Sequence, residues 1–133
     1  MSNPLTLRLL PEKYAVCRLE ANAPIPAWAL VPGPSLVSIT RTRSELSLVA
    51  PQLLVKNVEG AVFTEWRAFE VAGPLDFALV GILAGLTAPL ADAQIPLFAI
   101  STFDTDYLLV REQFVTKASE VWQAEGHMVV TVQ

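Results

Sequence analysis

Six consecutive residues, Ser101-Thr102-Phe103-Asp104-Thr105-Asp106, put two carboxylates and three hydroxyls into one short segment. Carboxylates accept charge-assisted hydrogen bonds, so such a segment can hold an ammonium group or a basic side chain. Asp and Thr also populate ordinary turns, and that plainer role stays open. A second segment, Gly73-Pro74-Leu75-Asp76-Phe77, leads into an apolar stretch of helical length. A loop entering a helix presents unpaired backbone N–H groups and a partial positive charge. An α-carboxylate would fit there; a simple strand-to-helix turn capped by Asp76 is the alternative.

Other chemistry is thinly provided. His127 is the single histidine and Cys17 the single cysteine. A metal site needs several such ligands, so no metal and no other cofactor is expected. No Ser/His/Asp set has spacing suited to nucleophilic catalysis. The Gly81–Gly85 stretch lies inside the expected helix, not before it as in a phosphate-binding loop. The chain is therefore not expected to be an enzyme. Cys17 sits in an alternating apolar run and reads as a buried small hydrophobe. Trp28, in a proline-rich segment, is the tryptophan expected to be exposed and able to cover a ligand.

Composition narrows the classes further. At 133 residues the chain makes one domain or two small modules. Hydrophobic residues are 53 % and charged residues 17 %, so the apolar excess suits a subunit or module interface as well as a core. The formal net charge is −4 and no Lys/Arg cluster is present, which argues against a nucleic-acid partner. The uncharged stretch between Asp76 and Asp92 is fifteen residues, short of the ~20 that cross a bilayer. No membrane partner is expected. The start MSNPLTLRLLPEKY lacks the features of a signal peptide, and a cytoplasmic location is expected.

The elements that must position these residues follow from pattern. Residues 5–10 and 14–19 predict two strands broken at Pro11. Pro24, Pro26, Pro32, Gly33 and Pro34 leave room for one helical turn at Ala27–Leu30. Further strands are predicted at 35–41, 45–50, 62–72, 96–101, 106–111 and 127–132. A short helix is predicted at 51–56 behind Pro51, and longer ones at 76–92 and 112–125. In the last of these, Phe114, Val115, Ala118, Val121 and Trp122 share one face. Ala78, Gly81, Gly85 and Ala88 form a small-residue stripe, suited to packing on the sheet or to contact with another module or subunit.

Two stretches repeat. SLVSITRTRSELSLVAPQ at 35–52 and PLFAISTFDTDYLLVREQ at 96–113 match at Leu36/Leu97, Ile39/Ile100, Leu48/Leu109, Val49/Val110 and Gln52/Gln113. Each is an apolar run, a polar turn and a second apolar run, the pattern of a hairpin, and such repeats shape the whole fold. The second half reads βαββαβ, an α+β ferredoxin-like module with an antiparallel sheet and both helices on one face. The first half reads as a reduced copy whose first helix gives way to the proline-rich segment. The predicted organisation is therefore two tandem modules, 1–60 and 61–133, with Ile39 and Ile100 at equivalent positions.

The stretch GPLDFALVGILAGLTAPLADAQIPLFAISTFDTDYLLVRE, residues 73–112, resembles an ACT domain. Within that family it is similar to the tandem-ACT subgroup of the CASTOR arginine sensors, and more distantly to aspartate kinase regulatory domains. Most ACT domains carry an Asp-x-x-Gly turn before the first helix. Asp76 and Gly81 here are five apart, as in the subgroup. The resemblance implies an amino-acid sensor with regulatory function and no catalysis. It also implies pairing of sheet edges, with the ligand at a seam between modules or subunits. A homodimer and an unidentified target protein are the expected partners. The binding residues are then Gly73, Pro74, Leu75, Asp76 and Phe77 for a carboxylate. Ser101, Thr102, Asp104, Thr105 and Asp106 would serve an amino group or basic side chain. The alternative is a structural or protein-interaction ACT module without a ligand.

Overall fold

The computed structural model of the chain describes residues 4–72 and 80–133. These form two compact units: Glu12–Trp66, and the residues up to Pro11 together with Arg67–Gln133. Strands β1 (Thr6–Leu19) and β4 (Ala61–Val71) each begin in one unit and end in the other.

In the unit Glu12–Trp66, β2 (Ser38–Arg41) and β3 (Leu46–Pro51) form a hairpin beside β1, in the order β2-β3-β1-β4. β3 runs antiparallel to β1, with Tyr14 opposite Pro51 and Leu19 opposite Leu46. Side chains alternate across a strand. Ala15, Cys17 and Leu19 thus share one face and pack with Leu46, Leu48 and Ala29, the last from a 3-10 turn at Ala27–Leu30. Burial pushes the Cys17 thiol above its ordinary pKa.

The other unit holds α1 (Ile82–Asp92), β5 (Phe98–Ser101), β6 (Asp106–Arg111), a 3-10 turn at Glu112–Phe114, α2 (Val115–Ala124) and β7 (Met128–Thr131). With β4 these give the βαββαβ order, a ferredoxin-like α+β fold. Its strand order is β7-β1-β4-β6-β5. Leu7, Leu9, Phe69, Val71, Leu108 and Val110 point to one face, where the helices bury them under Leu86, Leu90, Ala118 and Trp122. Trp122 meets Phe69 edge-on at 4.9 Å, and its Nε1 donates to the Leu86 carbonyl at 2.9 Å. That bond satisfies the polar tip of an otherwise apolar anchor.

Several sequence expectations change. The strands predicted at 5–10 and 14–19 are one strand, because Pro11 breaks nothing. Thr6–Leu9 pair with β7 and Tyr14–Leu19 with β3. Pro11 falls between these two ladders, and the strand runs through it. β7 runs parallel to β1, with Thr6 opposite Met128, so Thr6–Leu9 are inserted between the first and last strands of the βαββαβ order. No helix forms at 51–56; Leu54 and Val55 N–H groups close turns onto Pro51 and Gln52 carbonyls. The predicted start of the 76–92 helix lies outside the described residues.

Both repeat segments are hairpins, but their register differs from the sequence match. Ser38 pairs with Val49 and Arg41 with Leu46; Phe98 pairs with Leu109 and Ser101 with Asp106. The equivalent residues are thus Thr42 and Thr102, and Ile39 corresponds to Ala99, not to Ile100. The turns agree: Thr42 N–H donates to Glu45 O, and Thr102 N–H to Thr105 O, both at 2.8 Å. Leu48, Val49 and Ala50 in one copy and Leu108, Leu109 and Val110 in the other are all buried. An uninterrupted apolar run carries no alternation to fix the match, and a one-residue slip exchanges the faces.

Candidate functional site

The second hairpin presents the acidic tip. Ser101 ends β5 and Asp106 opens β6 directly opposite, and Ser101 Oγ donates to Asp106 Oδ1 at 2.5 Å. Between them Thr102 Oγ1 donates to Thr105 O at 3.0 Å and accepts from Thr105 N–H at 3.3 Å. Thr105 is buried, and its Oγ1 donates to the Val71 carbonyl at 2.6 Å. This bond fastens the tip to the end of β4, two residues before Gly73 in the chain. Phe103 and Asp104 are left at the apex, Phe103 with 81 % of its surface exposed. Among the described residues Asp104 makes no hydrogen bond or ion pair.

Alternation along β6 divides the charges between two faces. Asp106 follows the parity of Leu108 and Val110, which face the helices. Tyr107 lies on the opposite face, where its hydroxyl donates to Glu70 Oε2 at 2.9 Å and Arg8 Nη1 meets Glu70 Oε1 at 3.3 Å. Burial, reinforced by the Glu70 hydrogen bond and charge and by the Asp104 charge, pushes the Tyr107 phenol up to about 12. At neutral pH Tyr107 is therefore a fixed hydrogen-bond donor. Arg8, Glu70 and Tyr107 come from three strands distant in sequence. Glu70 is thus paired with Arg8 and Tyr107 on one face, and Asp106 with Ser101 on the other, which leaves Asp104 as the exposed carboxylate of the tip.

Of the residues singled out in the sequence, Gly73, Pro74, Leu75, Asp76 and Phe77 lie outside the described residues. Ser101, Thr102, Asp104, Thr105 and Asp106 come together in one tip. Of the small-residue stripe, Ala78 also lies outside the described residues, while Gly85 and Ala88 line an open groove of about 440 Å³ with Val121 and Ala124, and a Cβ on Gly85 would touch nothing within 4 Å. Trp28 is half-buried in its unit's core, with Nε1 donating to Lys56 O at 3.1 Å, so it is not a free cover. His127 is buried and its Nδ1 accepts from Leu5 N–H at 3.0 Å, a structural bond. Among the described residues no group of three or more His, Cys, Asp or Glu could hold a metal ion. Among them, too, no helix is long and apolar enough to cross a membrane.

An ACT domain family model matches residues 63–122, and a second model, of an N-terminal domain, matches residues 12–55. The chain is 34 % identical over 98 residues to the Homo sapiens protein named "Cytosolic arginine sensor for mTORC1 subunit 1". That alignment covers 73 % of this chain and 28 % of the human protein, so the chain spans less than a third of this relative's length. A crystal structure of an Agobacterium tumefaciens protein superposes with a TM-score of 0.90 at 35 % identity, covering 99 % of this chain and 96 % of that one. Aspartate kinase from Clostridium acetobutylicum superposes with a TM-score of 0.63 at 12 % identity, covering 90 % of this chain and 34 % of the kinase. The last likeness is one of fold alone.

Proposed function

Because this chain belongs to the ACT domain family, we propose that it is a non-catalytic regulatory protein that binds a free amino acid at its second hairpin. The observation that carries this reading is the tip itself. Asp104 stands exposed and unpartnered among the described residues, on a turn whose backbone is fixed by Thr102 and Thr105. A carboxylate held on a rigid turn loses little entropy when it binds, and preorganisation of this kind raises affinity. The surplus of negative charge favours an ammonium or guanidinium over a phosphate. The named arginine sensor among the relatives supports a cationic amino acid within the same class.

On this reading Asp104 and Asp106 face the amino group or basic side chain, with Ser101 and Thr102 beside them. Thr105, its hydroxyl occupied by Val71, holds the tip in place. Residues Gly73–Phe77 supply the carboxylate's backbone donors. The tandem organisation 1–60 and 61–133, a homodimeric state, a cytoplasmic location and an unidentified target protein belong to the same proposal.

Thermal melting with each amino acid in turn gives the first test, since a ligand bound only by the folded state raises the melting temperature. Calorimetry then compares the wild type with Asp104→Ala and Asp106→Ala. Losing one charged hydrogen bond costs about 1.5–3 kcal/mol, roughly ten- to a hundred-fold in affinity. Both variants should weaken binding by about that factor while melting like the wild type. If no amino acid binds the wild type below roughly millimolar concentration, the protein is a structural or interaction module instead.

A further inference from the structure

His127, the chain's single histidine, is buried in the turn between α2 and β7. The turn ends α2 in a fixed way. Gly126, at φ 94°, donates its N–H to the Gln123 carbonyl, and His127 N–H donates to the Trp122 carbonyl, both at 3.0 Å. This pair of bonds is the Schellman pattern of a helix C-terminus. Leu5, just ahead of β1, is gripped twice by the same turn. Its N–H donates to His127 Nδ1 at 3.0 Å, and its carbonyl accepts from Met128 N–H at 2.9 Å. These two bonds open the parallel ladder that continues with Thr6 opposite Met128 and Leu9 opposite Thr131. The first of them ends on a side chain, and that side chain can change its charge.

Nδ1 accepts through its lone pair, so the bonded ring is neutral and carries its proton on Nε2. A protonated imidazole donates from both nitrogens. Nδ1–H and the Leu5 N–H would then point at each other inside a buried turn, and the Leu5 donor would lose its acceptor. Among the described residues, the charged groups on the surrounding elements are Arg8 on β1, Asp92 on α1, and Lys117, Glu120 and Glu125 on or just after α2. All five are exposed, Arg8 is paired with Glu70 at 3.3 Å, and none bonds the imidazole. No bonded carboxylate would therefore hold a charged ring in its present place. We infer that His127 is a proton-operated latch: protonation of its ring releases Leu5 and loosens the start of the β1–β7 ladder. The inference does not rest on the amino-acid reading of the hairpin.

The test is an NMR titration of the isotope-labelled full chain from about pH 8 to about pH 5, the range in which histidines change charge. The ring resonances of His127 and the amide shift of Leu5 should move together with one midpoint. Protection of the Leu5 amide, corrected for the intrinsic pH dependence of exchange, should fall at least about tenfold over that range. The amides of β6 should keep theirs, which separates a local release from acid unfolding. His127→Asn leaves an acceptor near the place of Nδ1 that does not titrate, so its Leu5 amide should stay protected throughout. Should that variant fold poorly, the shared midpoint in the wild type still decides. A flat Leu5 profile, the same fall in His127→Asn, or equal loss of protection in β6 would each overturn the latch.

Discussion

Asp104 and Asp106 sit two residues apart yet meet different surroundings. Asp106 is bonded across the ladder by Ser101, while the charge of Asp104 acts on Tyr107. The acidic composition of the tip was legible in the sequence because its residues are contiguous. The row Arg8–Glu70–Tyr107 was not, because its members meet only when three strands align. Tyr107 supplies a measurable consequence. Its folded pKa of about 12 lies above the ordinary tyrosine value of 10. A raised pKa means that the folded state holds the proton more tightly. The contribution to stability is then complete below pH ~10 and is lost as pH rises through about 12. Alkaline titration followed by phenolate absorbance should show a step near pH 12 that Tyr107→Phe removes. Superimposable curves for variant and wild type above pH ~11 would sink this account.

Among the elements, the hairpins, α2 and β6 were readable because each carries a local signal: a polar turn between apolar runs, or one apolar helical face. β1 was misread as two strands because Pro11 looks like a breaker until its neighbours are known. The repeat was misregistered by one residue because buried runs have no alternation. One close approach gives a test at this scale. Gly60 (φ 152°), just before β4, passes so close to β1 that a Cβ there would lie 2.1 Å from the Arg18 carbonyl oxygen. Gly33 also has a positive φ, 114°, but a Cβ on it would meet nothing within 4 Å. Gly60→Ala should therefore cost about 2–4 kcal/mol, from backbone strain and overpacking together. Gly33→Ala should cost about 1 kcal/mol, from strain alone. Urea midpoints separate the two, and equal losses would show that the close approach does not constrain the fold.

For the whole molecule, the βαββαβ order and the α+β class could be read from the alternation of periods along the chain. The insertion of Thr6–Leu9 beside β7 could not, since pairing between chain segments so far apart leaves no local trace. Among the described residues β7 pairs with β1 alone, and it exposes Met128 and Val130, at 60 % and 36 %. A short apolar edge strand without a charged side chain is a ready surface for another chain. Light scattering at micromolar concentration should give about twice the 14.5 kDa chain mass. A particle of one chain mass would refute the homodimer.

The unit that bears the acidic hairpin is interrupted in sequence: Glu12–Trp66 sits between its first strand segment and all the rest. On a ribosome, Thr6–Leu9 emerge early and must wait for Met128–Thr131 before their parallel ladder can close. The inserted unit has its own strands by the time β4 is made, and its loops are far shorter. Closing a loop costs more as it lengthens, and pairing of distant segments slows folding. Pulse-labelled hydrogen exchange during refolding should therefore show amides of Tyr14–Leu19 and Leu46–Pro51 protected before those of Met128–Thr131. Simultaneous protection would mean that the two units fold in one step.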